Sequence, residues 1–441
     1  MNQLFLDRMK QLLQEEYHDY LESMSQPAIK GFYINPLKKD VIQHLDKKYI
    51  TPHPYIPRGY SYDYQQYPLG KHPYFNCGLY YIQEPSAMVV GNLLDVQEDD
   101  YILDMCAAPG GKTCQVASRL SQDGLMVAND IHNIRATILS ENVERFGLQN
   151  TIVTNCDPVT LPNTFTSFFD KILLDAPCSG EGMFRKLQKA VDDWSVEKIN
   201  ACSKLQKKLL DSAYQMLKTD GILVYSTCTY TIEENEDNVH YCIKQLGMEL
   251  VQIEKQKGMS PGIDIPEAVR LYPHKNNGEG QFIAVLKKIK QDTKKKVPTL
   301  VTTITNEQKK LVQTFYQQTL HMPLPKYLYN SNNHIYAIQP HFPQLKKVRI
   351  LRNGLYLGEC KKGRFEPSLS LALTLEKKNV QRYYDFKADD PNVTAYLKGE
   401  TLVGKQDKGY GVIFVEGYPL SFYKESNQQV KNLYPKGLRQ S

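Results

Sequence analysis

Short apolar runs alternate with helical stretches from residue 99 to residue 287, and this alternation restricts the fold more than any other feature of the sequence. The apolar runs predict strands, and the stretches between them repeat apolar residues at helical spacing. Strands that alternate with helices form a parallel sheet covered by helices. We therefore predict an α/β domain with a doubly wound, mostly parallel sheet. The predicted strands are residues 101–104, 125–129, 151–154, 169–174, 221–225 and 282–287, and the predicted helices are residues 113–120, 134–146, 201–217 and 233–246.

The sequence before this region has a different pattern. Residues 1–20 carry apolar side chains at helical spacing and predict one helix. Residues 49–81 are rich in tyrosine, proline and glycine, which predicts a loop-rich domain packed by its tyrosines. Tyrosines can also stack on RNA bases, so a nucleic-acid role is the alternative interpretation of the same stretch.

The sequence after the α/β region begins with a lysine-rich stretch. Residues 286–296 include Lys294, Lys295 and Lys296 and predict a solvated linker. A predicted helix over 307–320 then precedes β-like runs at 334–338, 348–351 and 411–415, which predict small mixed or β-rich modules. These changes of pattern divide the chain into residues 1–95, 96–288, 289–304, 305–375 and 376–441.

Composition and cysteine usage exclude several classes of protein. Hydrophobic residues make up 41% and charged residues 23% of the 441 residues, which is typical of a globular chain. The nine cysteines are odd in number and lack Cys-x-x-Cys spacing, which favours a reducing, cytoplasmic setting over a disulfide framework. No apolar run predicts a membrane span or a signal peptide. The net charge of +6 permits a polyanionic partner.

The stretch after the first predicted strand has the sequence Cys-Ala-Ala-Pro-Gly-Gly-Lys, residues 106–112. Ligands of doubly wound sheets bind at the carboxyl ends of the strands, where small residues allow close approach and a helix N-terminus offers free amides. Gly-Lys-Thr here is not a P-loop, because the glycine required five residues before the Gly-Lys pair is Cys106. The Gly-x-Gly-x-x-Gly motif of dinucleotide sites is absent as well.

Acidic residues follow the next two predicted strands. Asp130 is placed to accept hydrogen bonds from a ribose, or else to cap the following helix. Asp157 either faces the same ligand or is a turn residue before Pro158. Because the carboxyl ends of successive strands share one edge of the sheet, we predict a common ligand pocket there.

Two cysteines follow the fourth and fifth predicted strands. The fourth strand leads into Asp175-Ala-Pro-Cys178, and the fifth leads into Ser226-Thr-Cys228. Adjacent strands would place both cysteines at one rim of the sheet, beside the ligand loop. A single cysteine is usually a small core residue, and a metal site would need further ligands that no nearby histidine cluster supplies. We therefore predict a reactive cysteine pair and no metal.

Three motifs occur in a fixed order, with shorter matching stretches around them: residues 106–112 (CAAPGGK), 175–182 (DAPCSGEG) and 226–228 (STC), preceded by 83–88 (QEPSAM) and followed by 233–236 (EENE). With these motifs the chain resembles the Nol/Nop/Sun-type RNA 5-methylcytosine methyltransferases, and within them the bacterial RsmF-type ribosomal RNA methyltransferases. The resemblance is strong over residues 78–287 and extends in layout to the whole chain. It implies a Rossmann-like S-adenosylmethionine methyltransferase domain with an N-terminal extension and an α+β or β-rich, PUA-like RNA-binding part at the C-terminus.

The resemblance also implies roles for the matching residues. Cys228 would be the covalent nucleophile, and Cys178 would help to release the product or act as the base. Asp175 would hold the cytosine or contact the cofactor. Lys112 would position Asp175 or favour thiolates, or else be a surface lysine. The implied residues that bind S-adenosylmethionine are Cys106, Ala107, Ala108, Pro109, Gly110, Gly111, Lys112, Asp130, Arg135, Asp157 and Asp175.

The implied chemistry is covalent. Carbon 5 of cytosine is a poor nucleophile, and a thiolate that adds to carbon 6 makes it reactive enough to take a methyl group. DNA cytosine-5 methyltransferases use the cysteine of a Pro-Cys pair, which would select Cys178. The RNA family uses the cysteine of a Thr-Cys pair, so the resemblance favours Cys228.

The implied substrate is RNA, from which the target base has to leave its stack. Residues 1–95 would position this RNA, and residues 376–441 would be the PUA-like part. Basic residues of the tail either contact phosphates or form a solvated face. They are Lys346, Lys347, Arg349, Arg352, Lys361, Lys362 and Arg364.

The expected activity is methylation of cytosine carbon 5 in small-subunit ribosomal RNA, by a monomer that binds neither DNA nor a membrane. The same chemistry on transfer RNA is the enzymatic alternative. A catalytically silent RNA-binding factor of ribosome assembly is the alternative of another class, and the intact cysteines and ligand loop argue against it. A small-molecule methyltransferase is disfavoured, because it would need neither paired cysteines nor a large basic tail.

Overall fold

A computed structural model of the chain describes residues 2–290, 297–405 and 407–440. The N-terminal elements are α1 (Gln3–Leu13), α2 (Tyr17–Ser25), β1 (Lys30–Ile34), β2 (Ile50–Pro52), β3 (Gly59–Tyr62), α3 (Pro73–Asn76), β4 (Tyr80–Ile82) and α4 (Pro85–Asn92). The four strands form an antiparallel sheet in the order β2-β3-β1-β4.

One expectation for the N-terminal part is corrected, and another agrees with the structure. The single helix predicted over residues 1–20 is divided at Gln14, whose φ of 49° lies in the left-handed region and ends α1. The tyrosine-rich stretch is loop-rich as predicted, and three short strands, residues 50–52, 59–62 and 80–82, lie among its loops. Tyr62, Tyr74 and Tyr80 are buried, so these rings pack the sheet and are not available to stack on bases.

The central part contains the predicted alternation of strands and helices. Its elements are β5 (Tyr101–Asp104), α5 (Gly111–Ala117), β6 (Leu125–Asn129), α6 (Asn133–Arg145), β7 (Thr151–Asn155), α7 (Pro162–Phe165), β8 (Phe169–Asp175), α8 (Gln188–Asp192), α9 (Val196–Met216), β9 (Leu217–Thr227), α10 (Glu236–Leu246), β10 (Met248–Val251), β11 (Met259–Pro261), β12 (Val269–Leu271) and β13 (Gln281–Lys288). Every strand predicted from the sequence in this region is present, and β10, β11 and β12 were not predicted.

Parallel strands in the order β7-β6-β5-β8-β9 form the middle of this sheet, so the predicted doubly wound, mostly parallel architecture is confirmed. Successive residues of β5 point into opposite layers: Ile102 belongs to one apolar cluster and Leu103 to the other. Burial on both faces explains the continuous apolar runs that made these strands visible in the sequence. The strand β13 adds antiparallel to β9, and β12 and β11 continue beyond it.

The C-terminal part contributes two smaller sheets. Its elements are α11 (Asn306–Thr319), β14 (Leu328–Ser331), β15 (His334–Ala337), β16 (Arg349–Asn353), β17 (Leu355–Lys361), β18 (Arg364–Pro367), α12 (Leu369–Ala372), β19 (Tyr383–Phe386), α13 (Pro391–Lys398), β20 (Leu402–Val403), β21 (Gly409–Val415), β22 (Tyr418–Ser426) and β23 (Gln429–Asn432). One sheet has the order β14-β15-β17-β18, and the other has the order β19-β21-β22-β23-β20.

The strand β16 does not join either of these sheets. It pairs antiparallel with β7, with Ile350 opposite Thr154, and becomes the last strand of the central sheet. The sequence placed residues 348–351 in a tail module, because pairing between distant strands has no local signal. A β16 residue, Arg352, is correspondingly buried, and its guanidinium lies 2.7 Å from the Glu144 carboxylate. The expectation that Arg352 contacts RNA phosphate is therefore wrong.

The first and last sheets of the chain share one apolar core. Phe32 and Tyr80 of the N-terminal sheet pack in the same cluster as Tyr396 and Val415. The boundaries predicted from the sequence remain predictions, and Lys294, Lys295 and Lys296 of the expected linker lie outside the described residues. Among the described residues, none of the helices combines the length and the apolar character that a membrane span needs.

Candidate active site

The chain changes its direction of winding between β5 and β8, which are neighbours in the central sheet. Ligands of doubly wound sheets bind at such a switch point, outside the carboxyl ends of the strands. The loop of residues 106–112 follows β5, and the first cysteine motif follows β8. Fold and sequence motifs therefore point to the same place on the molecule.

The loop after β5 is held by a backbone hydrogen bond to the neighbouring strand β6 and packs against the N-terminal part. The Ala107 amide donates to the Asn129 carbonyl at 2.8 Å. Gly110 has a φ of 113°, which favours glycine. A Cβ atom at Gly111 would lie 3.0 Å from the Tyr81 ring and 3.2 Å from the amide carbon of Gln83. Glycine at this position allows the N-terminal part to form one wall of the site.

Two buried oxygens beside this loop, Asp104 Oδ1 and Gln83 Oε1, have no hydrogen-bond partner among the described residues. The second Asp104 oxygen accepts a hydrogen bond from the Thr113 hydroxyl at 2.6 Å. Burial raises the pKa of Asp104 to about 7. Buried acceptors without partners are costly, so this wall of the site suits a ligand that supplies hydrogen-bond donors, such as an ammonium group.

The raised pKa of Asp104 predicts a pH dependence of stability. The folded protein holds the Asp104 proton more tightly than the unfolded chain does, so stability is highest below the unfolded pKa and falls as the pH rises through about 7. Relative to Asp104→Asn, the ligand-free protein should lose about 2–3 kcal/mol of unfolding free energy between about pH 5 and about pH 8. Urea unfolding of both proteins at the two pH values checks this, and a pH-independent difference between them would contradict it.

Asp130 and Asp157 both follow their strands as predicted, but they differ in exposure. The Asp130 carboxylate is nearly buried, accepts from the His132 amide at 2.9 Å and lies 3.5 Å from the Arg135 guanidinium. Arg135 also donates to the Ala108 carbonyl at 2.6 Å, so it links the loop to the end of β6. Asp157 is exposed and caps a short turn by accepting from the Val159 amide at 3.0 Å. Both carboxylates therefore have hydrogen-bond partners within the protein, and the binding of a ligand by either of them stays a prediction.

The two cysteines meet at the rim as the sequence predicted. Asp175 and Ser226 are paired in the register of β8 and β9, and the segments that follow bring Cys178 Sγ within 3.3 Å of Cys228 Sγ. The contact with Cys228, together with burial, raises the pKa of Cys178 well above its ordinary value. Cys178 therefore resists deprotonation while its sulfur lies against Cys228, and which of the two sulfurs attacks the base stays a prediction.

Asp175 is fixed at the same rim by three side chains. One carboxylate oxygen lies 2.8 Å from the Lys112 ammonium. The other accepts from the Ser226 hydroxyl at 2.6 Å and from the Gln281 amide at 3.2 Å. Burial opposes the charge of Lys112, but the charges of Asp175 and Cys228 raise the Lys112 pKa above its ordinary value. Lys112 is thus a largely buried cation that holds Asp175 rather than a surface lysine, and its effect on a nearby thiolate stays a prediction.

Two buried glutamates hold the segments that carry the cysteines. Glu234 accepts from the Ser179 amide at 3.1 Å and from the Gln206 amide at 2.8 Å. Glu181 accepts from the indole of Trp194 at 2.8 Å and from the Tyr230 amide at 3.0 Å. Each glutamate therefore ties the segment after β8 to its surroundings, and burial raises the pKa of both carboxyls.

A buried ion pair holds the segment that follows β9 and carries Cys228. The Arg270 guanidinium donates to both oxygens of Glu236, at 2.7 and 2.5 Å, and to the Tyr230 carbonyl at 2.8 Å. Both side chains are about 2% exposed or less. The backbone two residues after Cys228 is therefore anchored to β12 through a charged side chain that has no access to water.

Sequence reasoning missed these supporting residues. Glu181 and Glu234 lie inside motifs quoted from the sequence, but an acidic residue is normally exposed and nothing local shows that these two are buried.

Of the basic tail residues expected to contact RNA, Lys361 and Arg364 form ion pairs with Glu366. The exposed ones that remain candidates are Lys346, Lys347, Arg349 and Lys362.

Family models match almost the whole chain. The model of 16S rRNA methyltransferase RsmB/F matches residues 91–287, and that of the N-terminal domain of 16S rRNA methyltransferase RsmF matches residues 1–85. The RsmF rRNA methyltransferase first C-terminal domain matches residues 314–375, and the methyltransferase RsmF PUA domain matches residues 383–440. The match over all four models confirms the predicted layout of extension, methyltransferase domain and PUA-like part.

Individual relatives agree with these models. The ribosomal RNA small subunit methyltransferase F of Vibrio vulnificus is 29% identical over 98% of this chain and 96% of its own length. The protein of the same name from Shewanella piezotolerans is 30% identical over 99% of this chain and 97% of its own length. A methyltransferase homologue from Pyrococcus horikoshii has 32% identity and a TM-score of 0.59 over 65% of this chain and 95% of its own. NSun6 from the same organism, solved with SFG, has 26% identity and a TM-score of 0.58 over 65% of this chain and 98% of its own. This chain belongs to the RsmF family of ribosomal RNA small subunit methyltransferases.

Proposed function

We propose that this enzyme transfers a methyl group from S-adenosylmethionine to carbon 5 of a cytosine in small-subunit ribosomal RNA, through a covalent bond between Cys228 and the base. The observation that carries the proposal is the pair of sulfurs 3.3 Å apart, at the rim that also holds Asp175 and Lys112. The substrate class is supported by the name shared by the full-length relatives, ribosomal RNA small subunit methyltransferase F.

The residues at the carboxyl ends of β5 and β6 fit S-adenosylmethionine. Asp104 and Gln83 offer buried oxygens without partners, which suit the ammonium of its amino-acid part. We assign its remaining polar groups to the loop of residues 106–112, to Asp130 with Arg135, and to Asp157 and Asp175. When bound, this cofactor supplies an electrophilic methyl group on a sulfonium.

Cys228 begins the reaction on the base. Its thiolate, favoured by Lys112, adds to carbon 6 of the flipped cytosine, and the electron pair of the 5,6 double bond makes carbon 5 nucleophilic. We assign to Asp175 the polar edge of the cytosine, because its carboxylate is held in one orientation by Ser226 and Lys112.

Release of the product needs the carbon 5 proton to leave. After carbon 5 has taken the methyl group, a base removes that proton, the 5,6 double bond forms again, and the bond between carbon 6 and the Cys228 sulfur breaks. We assign Cys178 to this release step, because its sulfur is the group beside Cys228. The step regenerates the Cys228 thiolate, and the enzyme returns to its starting state when the base passes the carbon 5 proton to water.

The other parts of the chain select the RNA. We propose that residues 1–95 position it and that the PUA-like part, residues 376–441, binds it away from the rim. Residues 289–304 would be the linker and residues 305–375 an intermediate domain. We expect a monomer that acts in the cytoplasm, on RNA rather than on DNA.

Methyl transfer to defined acceptors tests this proposal. With labelled S-adenosylmethionine, we expect 5-methylcytosine in assembled small ribosomal subunits, in free small-subunit RNA, or in both, and none in bulk transfer RNA. The ribosomal acceptor that is methylated better shows whether methylation precedes or follows assembly of the small subunit. Label in transfer RNA alone would keep the chemistry and replace the substrate, while label on another atom or no label at all would refute the chemistry.

A further inference from the structure

Two adjoining clefts are both lined by Lys38 and Lys39 of the N-terminal part, and the first of them lies where this part meets the C-terminal part. One cleft, of about 320 Å³, continues along residues 374–378 and 417–419. The other, of about 420 Å³, continues past Arg58 of the N-terminal sheet. Neither cleft contains a residue of the candidate active site.

The lining of this double cleft is cationic. Its charged side chains are Lys38, Lys39, Arg58, Lys377 and Lys378 against Asp40 and Glu376. Lys378 pairs with Glu376, and Lys377 pairs with Asp385 at the margin. The other three cations form no ion pair with a carboxylate of the described residues. The cleft therefore has an uncompensated positive charge.

Lys38 shows this imbalance most clearly. Its ammonium donates to the Leu373 carbonyl at 2.5 Å, which joins the N-terminal part to the end of α12. Burial lowers the pKa of Lys38 to about 8, and the charge of the nearby Glu376 carboxylate only partly opposes this. A partly buried cation without a counter-charge is unfavourable, and an anion in the cleft would supply that charge.

The walls of the cleft are fixed before any ligand arrives. The N-terminal and last sheets share one apolar core. The Tyr418 hydroxyl donates to the Lys39 carbonyl at 2.6 Å, and His44 lies 3.1 Å from Glu416 across the same junction. A site that is already in place loses little entropy when it binds.

We infer that this junction cleft binds the phosphate backbone of the substrate RNA through Lys38, Lys39 and Arg58. The inference rests on the proposed function only in taking RNA as the substrate. Lysines are frequent phosphate ligands, and contacts to phosphate set the position of a nucleic acid without reading its sequence. The cleft therefore holds the RNA at a fixed place while the target cytosine occupies the rim of the central sheet.

Binding of full-length protein to a small-subunit RNA transcript, measured over a range of salt concentrations, tests this inference. Lys38→Met should weaken binding several-fold and reduce the slope of log K against log salt by about 0.7–0.9, the value of one lost phosphate contact. Lys38→Arg should keep the wild-type slope. The double variant Lys39→Met/Arg58→Met changes exposed side chains only, and it should reduce the slope by about twice as much.

Controls separate this role from folding and from catalysis. Lys244→Met, at an exposed lysine on α10, should keep the wild-type slope. Lys38→Met should keep the thermal midpoint, since the removal of an uncompensated cation offsets the loss of its hydrogen bond to the Leu373 carbonyl. Wild-type slopes in both cleft variants would overturn the inference, as would weaker binding that accompanies only a lower thermal midpoint. Methyl transfer by the wild-type protein is measured in parallel. RNA binding without methylation would refute the proposed function alone, and methylation with unchanged slopes would refute the cleft alone.

Discussion

Cys228→Ala is expected to abolish methyl transfer, with kcat reduced on the order of 10⁴-fold or more, and to form no covalent adduct with RNA. The side chain lies at the rim beside Lys112, so its loss removes the nucleophile without removing the surrounding carboxylates. The measurement is 5-methylcytosine formation together with a denaturing gel that detects protein joined to labelled RNA. Binding of S-adenosylmethionine should be nearly unchanged, which would show that the site is still formed.

Cys178→Ala should behave in the opposite way and accumulate the adduct, because Cys228 still attacks while the group that assists release is gone. The two cysteines touch at 3.3 Å, so each is a matched control for the other. Cys202→Ala, at another half-buried cysteine, should leave both activity and adduct level as in the wild type. An adduct in Cys228→Ala and none in Cys178→Ala would reverse the assignment of nucleophile and helper.

Arg270→Met is expected to reduce the free energy of unfolding by about 3–5 kcal/mol, because it leaves the Glu236 carboxylate charged and buried without its partner. The pair is about 2% exposed or less, so water cannot replace the lost cation. Urea unfolding at neutral pH measures the change. A variant as stable as the wild type would show that the ion pair does not contribute as its burial implies.

The double variant Arg270→Met/Glu236→Gln provides the matched control. Glutamine carries no charge that could be left buried without a partner. Its side-chain oxygen can still accept from the Ile263 amide, which donates to Glu236 at 3.0 Å in the wild type. Replacing both partners of a buried pair is often close to neutral, so the double variant should recover more than half of the lost stability. A double variant that is as unstable as Arg270→Met would place the loss in the packing around the substituted side chain rather than in the unpaired charge.

The sequence predicted the parallel core well because those strands are buried on both faces. Runs such as residues 169–174 are apolar throughout most of their length and are followed by turn residues, and such a pattern is local. The short strands β10, β11 and β12 carry no such pattern: Met259–Pro261 contains a proline and only one apolar residue besides it. Their place is decided by pairing with distant strands.

The candidate site could be predicted in part for the same reason. The ends of consecutive strands follow from the topology, so the meeting of Cys178 with Cys228 was predictable. The supports were not, because the partners that hold these glutamates are distant in the chain: Glu234 accepts from Gln206 of α9, and Glu181 accepts from Trp194. Nothing within a few residues of either glutamate distinguishes it from an exposed acid.

The strand β16 has a consequence for how the chain is made. Synthesis proceeds from the N-terminus, and parts of a chain begin to fold as they emerge. The parallel strands end at Thr227, whereas their outer neighbour, Arg349–Asn353, follows more than a hundred residues later. Until then β7 is an open edge, able to pair with a strand of another nascent chain. A chain whose synthesis stops between these two points would have a nearly finished central sheet with its β7 edge uncovered.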